Sequence, residues 1–129
     1  MQPFRFHSIY QPRIWGGQSM RTMLGRELPD RETAYGEAWE ISDRPEAMSI
    51  VKDGEWEGMP LHRLWEEHRQ EIFGPGYERF PRFPLLCKIL DARENLSVQV
   101  HPPERTAAAR QGEVKNEIWY VLHLSLIHI

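Results

Sequence analysis

Two different strand signals lie back to back between Phe83 and His101, and together they commit this chain to a sheet. Pro84-Leu85-Leu86-Cys87-Lys88-Ile89-Leu90 is a nearly continuous apolar run, as expected of a strand buried on both faces. Residues 95–101 instead alternate. Leu96, Val98 and Val100 share one face, and Ser97, Gln99 and His101 share the other, following the two-residue period of a strand. Pro102-Pro103 ends the pattern. A further strand is expected over 116–122, where Lys115, Glu117 and Trp119 have one parity.

The remaining elements are short. Ten prolines and nine glycines in 129 residues favour brief strands and loops over long helices. Residues 1–30 read as irregular, with a turn at Ile14-Trp15-Gly16-Gly17 and one helical turn within 18–24. Short strands are expected at 38–42 and 48–52 around an Asp43-Arg44-Pro45 turn, with Asp53-Gly54 turning the chain again. The clearest helix starts at Pro60, which suits a first helical position. Leu61, Leu64, Trp65, His68 and Ile72 recur at helical spacing, and Gly74 and Pro75 stop it. Alanine-rich 104–111 makes a second short helix closed by Gly112.

Length and charge narrow the function classes. The chain suits one domain, and a net charge of -3 with mixed signs does not point to nucleic acid or a membrane surface. Cys87 is the one cysteine, so an intramolecular disulfide is excluded and a reducing compartment fits. No run approaches the ~20 apolar residues of a membrane span. Met1-Gln2-Pro3-Phe4-Arg5 lacks the apolar core of a signal peptide. A soluble cytoplasmic domain is the expectation.

The polar row Ser97, Gln99 and His101 has two readings. It is the solvated face of a half-buried antiparallel strand, or it lines a pocket. The apolar strand before it and the grouping of Lys115 and Glu117 with Trp119 favour a pocket. Imidazole nitrogen, carboxylate oxygen and a neutral amide oxygen form a donor set suited to a divalent metal, so Gln99, His101 and Glu117 are the candidate ligands. Lys115 is either a surface lysine or a pocket cation able to hold a phosphate or move a proton. Lys88 interrupts the apolar run. It needs a carboxylate partner, with Glu37 and Glu40 as candidates, or a wet cavity, unless it snorkels to the sheet edge.

Four strings make these residues specific. They are Ile14-Trp15-Gly16-Gly17, Gly36-Glu37-Ala38-Trp39-Glu40-Ile41-Ser42, Leu96-Ser97-Val98-Gln99-Val100-His101-Pro102 and Lys115-Asn116-Glu117-Ile118-Trp119-Tyr120. With the run 84–92, they resemble type I mannose-6-phosphate isomerases in order and spacing over roughly residues 3–122. The resemblance implies a mainly β, cupin-type jelly roll with one or two short helices. It implies a zinc ion on Gln99, His101 and Glu117, and a pocket in which Ser97, Lys88 and Glu37 meet a sugar phosphate. The implied reaction interconverts mannose 6-phosphate and fructose 6-phosphate through an enediol(ate), with Lys115 as the candidate base. A non-catalytic cupin module binding a sugar or sugar phosphate is the alternative.

The chain also departs from that pattern. Family members are longer, and their fourth zinc ligand, a histidine, and a catalytic arginine lie further on with no counterpart here. Residues 1–122 therefore read as the amino-terminal part of one isomerase domain, with the barrel incomplete and the fragment expected to be inactive or nearly so. Residues 123–129 read as a non-native tail resembling translated sequencing adapter, with a natural apolar terminal strand as the alternative.

Overall fold

A computed structural model of the chain describes residues 3–110, 112 and 114–124. It divides into two compact units, Met1–Arg93 and Glu94–Ile129. The first contains β1 (Ile9–Gly17), α1 (Ser19–Thr22), β2 (Tyr35–Ile41), β3 (Asp43–Arg44), β4 (Ala47–Met48), α2 (Leu61–Phe73) and β5 (Cys87–Leu90). Strands β1, β2 and β5 form an antiparallel sheet in that order with β2 central, and β3 and β4 pair as a small hairpin. Met20, Tyr35 and Ala38 are buried together, with Tyr10, Leu28 and Ile89 packed against them.

The Trp-Gly-Gly segment is not a turn. It is the end of β1, a strand the irregular reading of residues 1–30 missed. Pro12 has no N–H to give the ladder, and the pairing with β2 shifts there and again before Gly17, so that Pro12 and Gly17 both face Tyr35. The bulged stretch between them is tied by the Arg13 amide, which donates to the Ala34 carbonyl at 3.0 Å, and by the Trp15 carbonyl, which accepts from the Arg93 amide at 2.9 Å. Gly16 lies so close to β2 that a Cβ there would sit 2.6 Å from the Gly36 nitrogen and 2.7 Å from the Tyr35 carbonyl carbon. Backbone cannot move aside as a flexible side chain can. Gly16→Val is therefore expected to destabilise the chain by about 2–3 kcal/mol, towards the upper end for overpacking, read as a lower urea midpoint with unchanged slope.

Asp91 closes the same corner. It donates its amide to the Gly36 carbonyl at 2.9 Å and accepts the Gly17 amide at its own carbonyl at 3.1 Å. Its buried carboxylate accepts the Met20 amide at 2.9 Å in the first turn of α1. One short helical turn within 18–24 is thus present, held by tertiary contacts and not by its own length.

Helix α2 follows its sequence signals closely. Pro60 is the residue before the helix and not its first, Leu61, Leu64 and Trp65 are buried, and Gly74 ends it at φ 78°, where a side chain is disfavoured. Trp65 packs its ring at a tilt on Phe73 and edge-to-face on Tyr77 and Phe83, with centroids 5.1, 5.9 and 5.7 Å away. Phe83 is also fixed by its amide, which donates to Asp43 Oδ2 at 2.7 Å. This anchor sets the path of the chain into β5.

The burial expected for 84–90 is only partly realised. β5 pairs with β2 along one edge, Leu85 and Cys87 are exposed, and Lys88, Ile89 and Leu90 are half-buried. An apolar run reports the capacity to be covered, and the covering layer must come from elsewhere in the fold.

The second unit holds α3 (Glu104–Ala107) and a 3₁₀ turn (Ala108–Arg110), and Gly112 donates its amide to the Ala107 carbonyl at 2.9 Å. The short helix closed by glycine is present, although Gln111, its expected last residue, lies outside the described residues. The strands expected at 95–101 and 116–122 do not form among the described residues. Alternation supplies a face, but extended backbone becomes a strand only when a neighbour accepts and donates along it. Val98, Val100, Ile118 and Tyr120 are correspondingly exposed. The expected tail 123–129 lies outside the described residues from 125 onward. Among the described residues the fold is mainly β, no strand set closes into a barrel, and two of the three α-helices are four residues long. No described helix is long and apolar enough to cross a membrane.

Candidate functional site

The central strand β2 presents Glu37 and Trp39 on one face, and β5 adds Lys88 from the register Trp39↔Lys88. Lys88 Nζ donates to Glu37 Oε1 at 2.7 Å. Arg13 Nη2 donates to Glu37 Oε2 at 2.6 Å, and Trp39 Nε1 reaches the same oxygen at 3.1 Å. Glu37 is 6% exposed. Burial by itself would push its carboxyl up. The hydrogen bonds from Lys88 and Trp39 and the charges of Lys88 and Arg13 outweigh that, so the carboxyl is held below the ordinary glutamate value.

Of the two carboxylates considered for Lys88, β2 parity selects Glu37. Glu40 lies three residues on and is engaged elsewhere, accepting from Arg26 Nη1 at 2.6 Å and from Ser8 Oγ at 3.1 Å. Lys88 therefore does not snorkel free of partners. It sits in a charged, hydrogen-bonded cluster carrying two cations and one anion.

Sequence reasoning missed Arg13. A regular strand parity cannot locate it, because the bulge after Pro12 breaks the two-residue period. The one available signal was Pro12 itself, which cannot donate to a ladder. His62 was missed too. Its Nδ1 lies 2.9 Å from Asp43 Oδ1, joining α2 to the buried carboxylate that also receives the Phe83 amide.

Ser97, Gln99, His101, Lys115 and Glu117 all belong to the second unit and all are exposed. Lys115 Nζ lies 3.0 Å from Glu117 Oε1, so the two residues expected to share a face do meet. Gln99 Nε2 lies 3.5 Å from Ser97 Oγ, a weak hydrogen bond. Among the described residues, no three His, Cys, Asp or Glu side chains form a group that could hold a metal ion. The trio Gln99, His101 and Glu117 includes only two of those residue types. Its imidazole, carboxylate and amide oxygen suit zinc by donor chemistry.

Comparison with known proteins places these strings in one context. Residues 3–123 match the sequence model of phosphomannose isomerase type I, catalytic domain. The mannose-6-phosphate isomerase of Streptococcus mutans is 44% identical over 122 residues, covering 94% of this chain and 37% of that protein. The mannose-6-phosphate isomerase ManA of Bacillus subtilis is 40% identical, with the same two coverages. The crystal structure of the mannose 6-phosphate isomerase from Bacillus subtilis superposes with a TM-score of 0.74 at 36% identity, over 86% of this chain and 34% of that one. The chain thus spans a little over a third of the length of the relatives it matches.

Proposed function

Because this chain belongs to the type I phosphomannose isomerase family, we propose that it carries part of an active site interconverting mannose 6-phosphate and fructose 6-phosphate. The observation that supports this best is the match over residues 3–123 together with the Lys88–Glu37–Arg13 cluster on the sheet. An ordinary surface lysine has no use for a buried carboxylate partner. A sugar phosphate, with its anionic end and many hydroxyls, suits a site of fixed charges and donors.

In this reading Gln99, His101 and Glu117 hold zinc. A zinc ion there would stabilise the oxyanion that develops as the carbonyl shifts between C1 and C2. Lys115 moves the proton between those carbons, and its contact with Glu117 keeps it beside the ligand set. Lys88 and Glu37 are the proposed substrate-binding residues of the first unit, and Ser97 is the proposed one of the second. The sugar phosphate is the sole partner proposed, and the cytoplasm is the proposed location.

The chain alone is expected to be inactive. Residues 95–101 and 116–122 carry the proposed ligands without a ladder to hold them in register, and catalysis tolerates little misplacement. Two measurements on the 129-residue chain test these points. Equilibrium dialysis with zinc is expected to show binding that His101→Ala weakens on the order of 10–100-fold or more, since removing a ligand costs at least as much as removing its outer-shell partner. Binding unaffected by that change would remove the ligand assignment. A coupled isomerase assay with added zinc is expected to show no turnover, and a rate matching a full-length relative would overturn the inactivity.

A further inference from the structure

We propose that Arg13 is a positioning residue for the Glu37–Lys88 pair, holding Oε2 of the carboxylate so that Oε1 stays committed to Lys88. The inference deepens the reading of that pair as part of the substrate pocket and rests on it for its functional meaning.

The seat of Arg13 is built from three directions. Its Nη2 donates to Glu37 Oε2 at 2.6 Å while its Nη1 donates to the Pro12 carbonyl at 2.9 Å, so the guanidinium is fixed at both ends. Its stem lies on Gly36, where a Cβ would come within 2.6 Å of Arg13 Cβ and of the Trp15 ring. The strand bulge turns the side chain towards β2 in the first place. A bulge, a bare glycine and a planar fork thus combine to deliver one cation to one oxygen.

The electrostatic consequence follows from the count. Lys88 and Arg13 give two positive charges against the single charge of Glu37, and arginine does not lose its proton in a protein. With Arg13 in place the buried carboxylate remains an anion that cannot rotate away from Lys88. The cluster keeps a surplus positive charge on the face from which Lys88 and Arg13 remain partly open to solvent. That surplus suits an anionic substrate group. Without Arg13 the surplus is gone, and Oε2 is left to Trp39 alone.

The test is a carbon-detected NMR titration of the Glu37 side-chain carboxyl in the full 129-residue chain, for the parent, Arg13→Met and Arg13→Gln. Both substitutions are expected to raise the Glu37 midpoint, Arg13→Met by more, because glutamine keeps a neutral donor. An arginine acting through its charge alone would raise the midpoint equally in Arg13→Met and Arg13→Gln, and that result overturns the proposal. An unchanged midpoint in either folded variant overturns the proposal. So does loss of folding in both variants that Arg13→Lys reverses, because that outcome makes Arg13 structural. The readout needs neither zinc nor turnover, so it fails or succeeds independently of the isomerase reading.

Discussion

Trp65→Ala is expected to lower the unfolding free energy of the chain by about 3–5 kcal/mol, the range for removing a large buried aromatic side chain. The tryptophan is 1% exposed and packs on three aromatic rings. Arg69 lies over its ring at 5.5 Å, and its Nε1 donates to the Phe80 carbonyl at 3.2 Å. Deleting it opens a cavity between α2 and residues 73–83 that a short helix cannot collapse to fill. Domains of this size hold roughly 5–15 kcal/mol in total, so the variant should be partly unfolded near 37 °C. Trp65→Phe separates packing from the hydrogen bond and should recover most of the loss, leaving on the order of 1 kcal/mol. Urea unfolding followed by circular dichroism reads both. Equal losses in the two variants would assign the effect to the hydrogen bond and not to the cavity. The consequence reaches the site, since Phe83 is anchored by this cluster and leads into β5 and Lys88.

Glu37→Gln is the second large effect, expected at about 2–3 kcal/mol of destabilisation at neutral pH. Removing one partner of a buried ion pair leaves the other charges uncompensated, which costs roughly 3–5 kcal/mol in full burial. The figure is reduced here because the Lys88 and Arg13 side chains keep 23% and 35% of their exposure and so some hydration. The pH dependence has a definite sign. The Glu37 carboxyl is held below its ordinary value in the folded chain, so the unfolded chain binds the proton first as pH falls. Its stabilisation is fully present above the ordinary glutamate range and is lost as pH drops through the folded value. Glu37→Gln should therefore flatten part of the acid limb of the stability profile as well as lowering the plateau. Parallel acid limbs in parent and variant would show that Glu37 carries no linkage.

Local physics was legible wherever a few neighbouring residues decide the outcome. Helix α2 was visible as apolar spacing ended by a glycine, and the glycine adopts the positive φ that such an ending needs. The partner of Lys88 was also visible, because a cation inside an apolar run demands a carboxylate and Glu37 was one of two on offer. The β1 strand was hidden because its proline, bulge and paired glycines imitate a loop. The strands at 95–101 and 116–122 were over-read for the opposite reason. Their alternation is regular, but no described neighbour pairs with them.

The sequence by itself determined the family, the mainly β character, the short helices and the residue types of the candidate site. Periodicity, turn chemistry and donor type act over a few bonds and can be read along a line. Only the tertiary structure decided which groups meet. It chose Glu37 over Glu40 for Lys88, brought Arg13 across a bulge to the second oxygen, and left the alternating row of Ser97, Gln99 and His101 outside any ladder. Those outcomes depend on register between residues 24 and 51 positions apart. A shift of one residue turns a side chain to the opposite face, and that choice is made by the packing of the whole sheet.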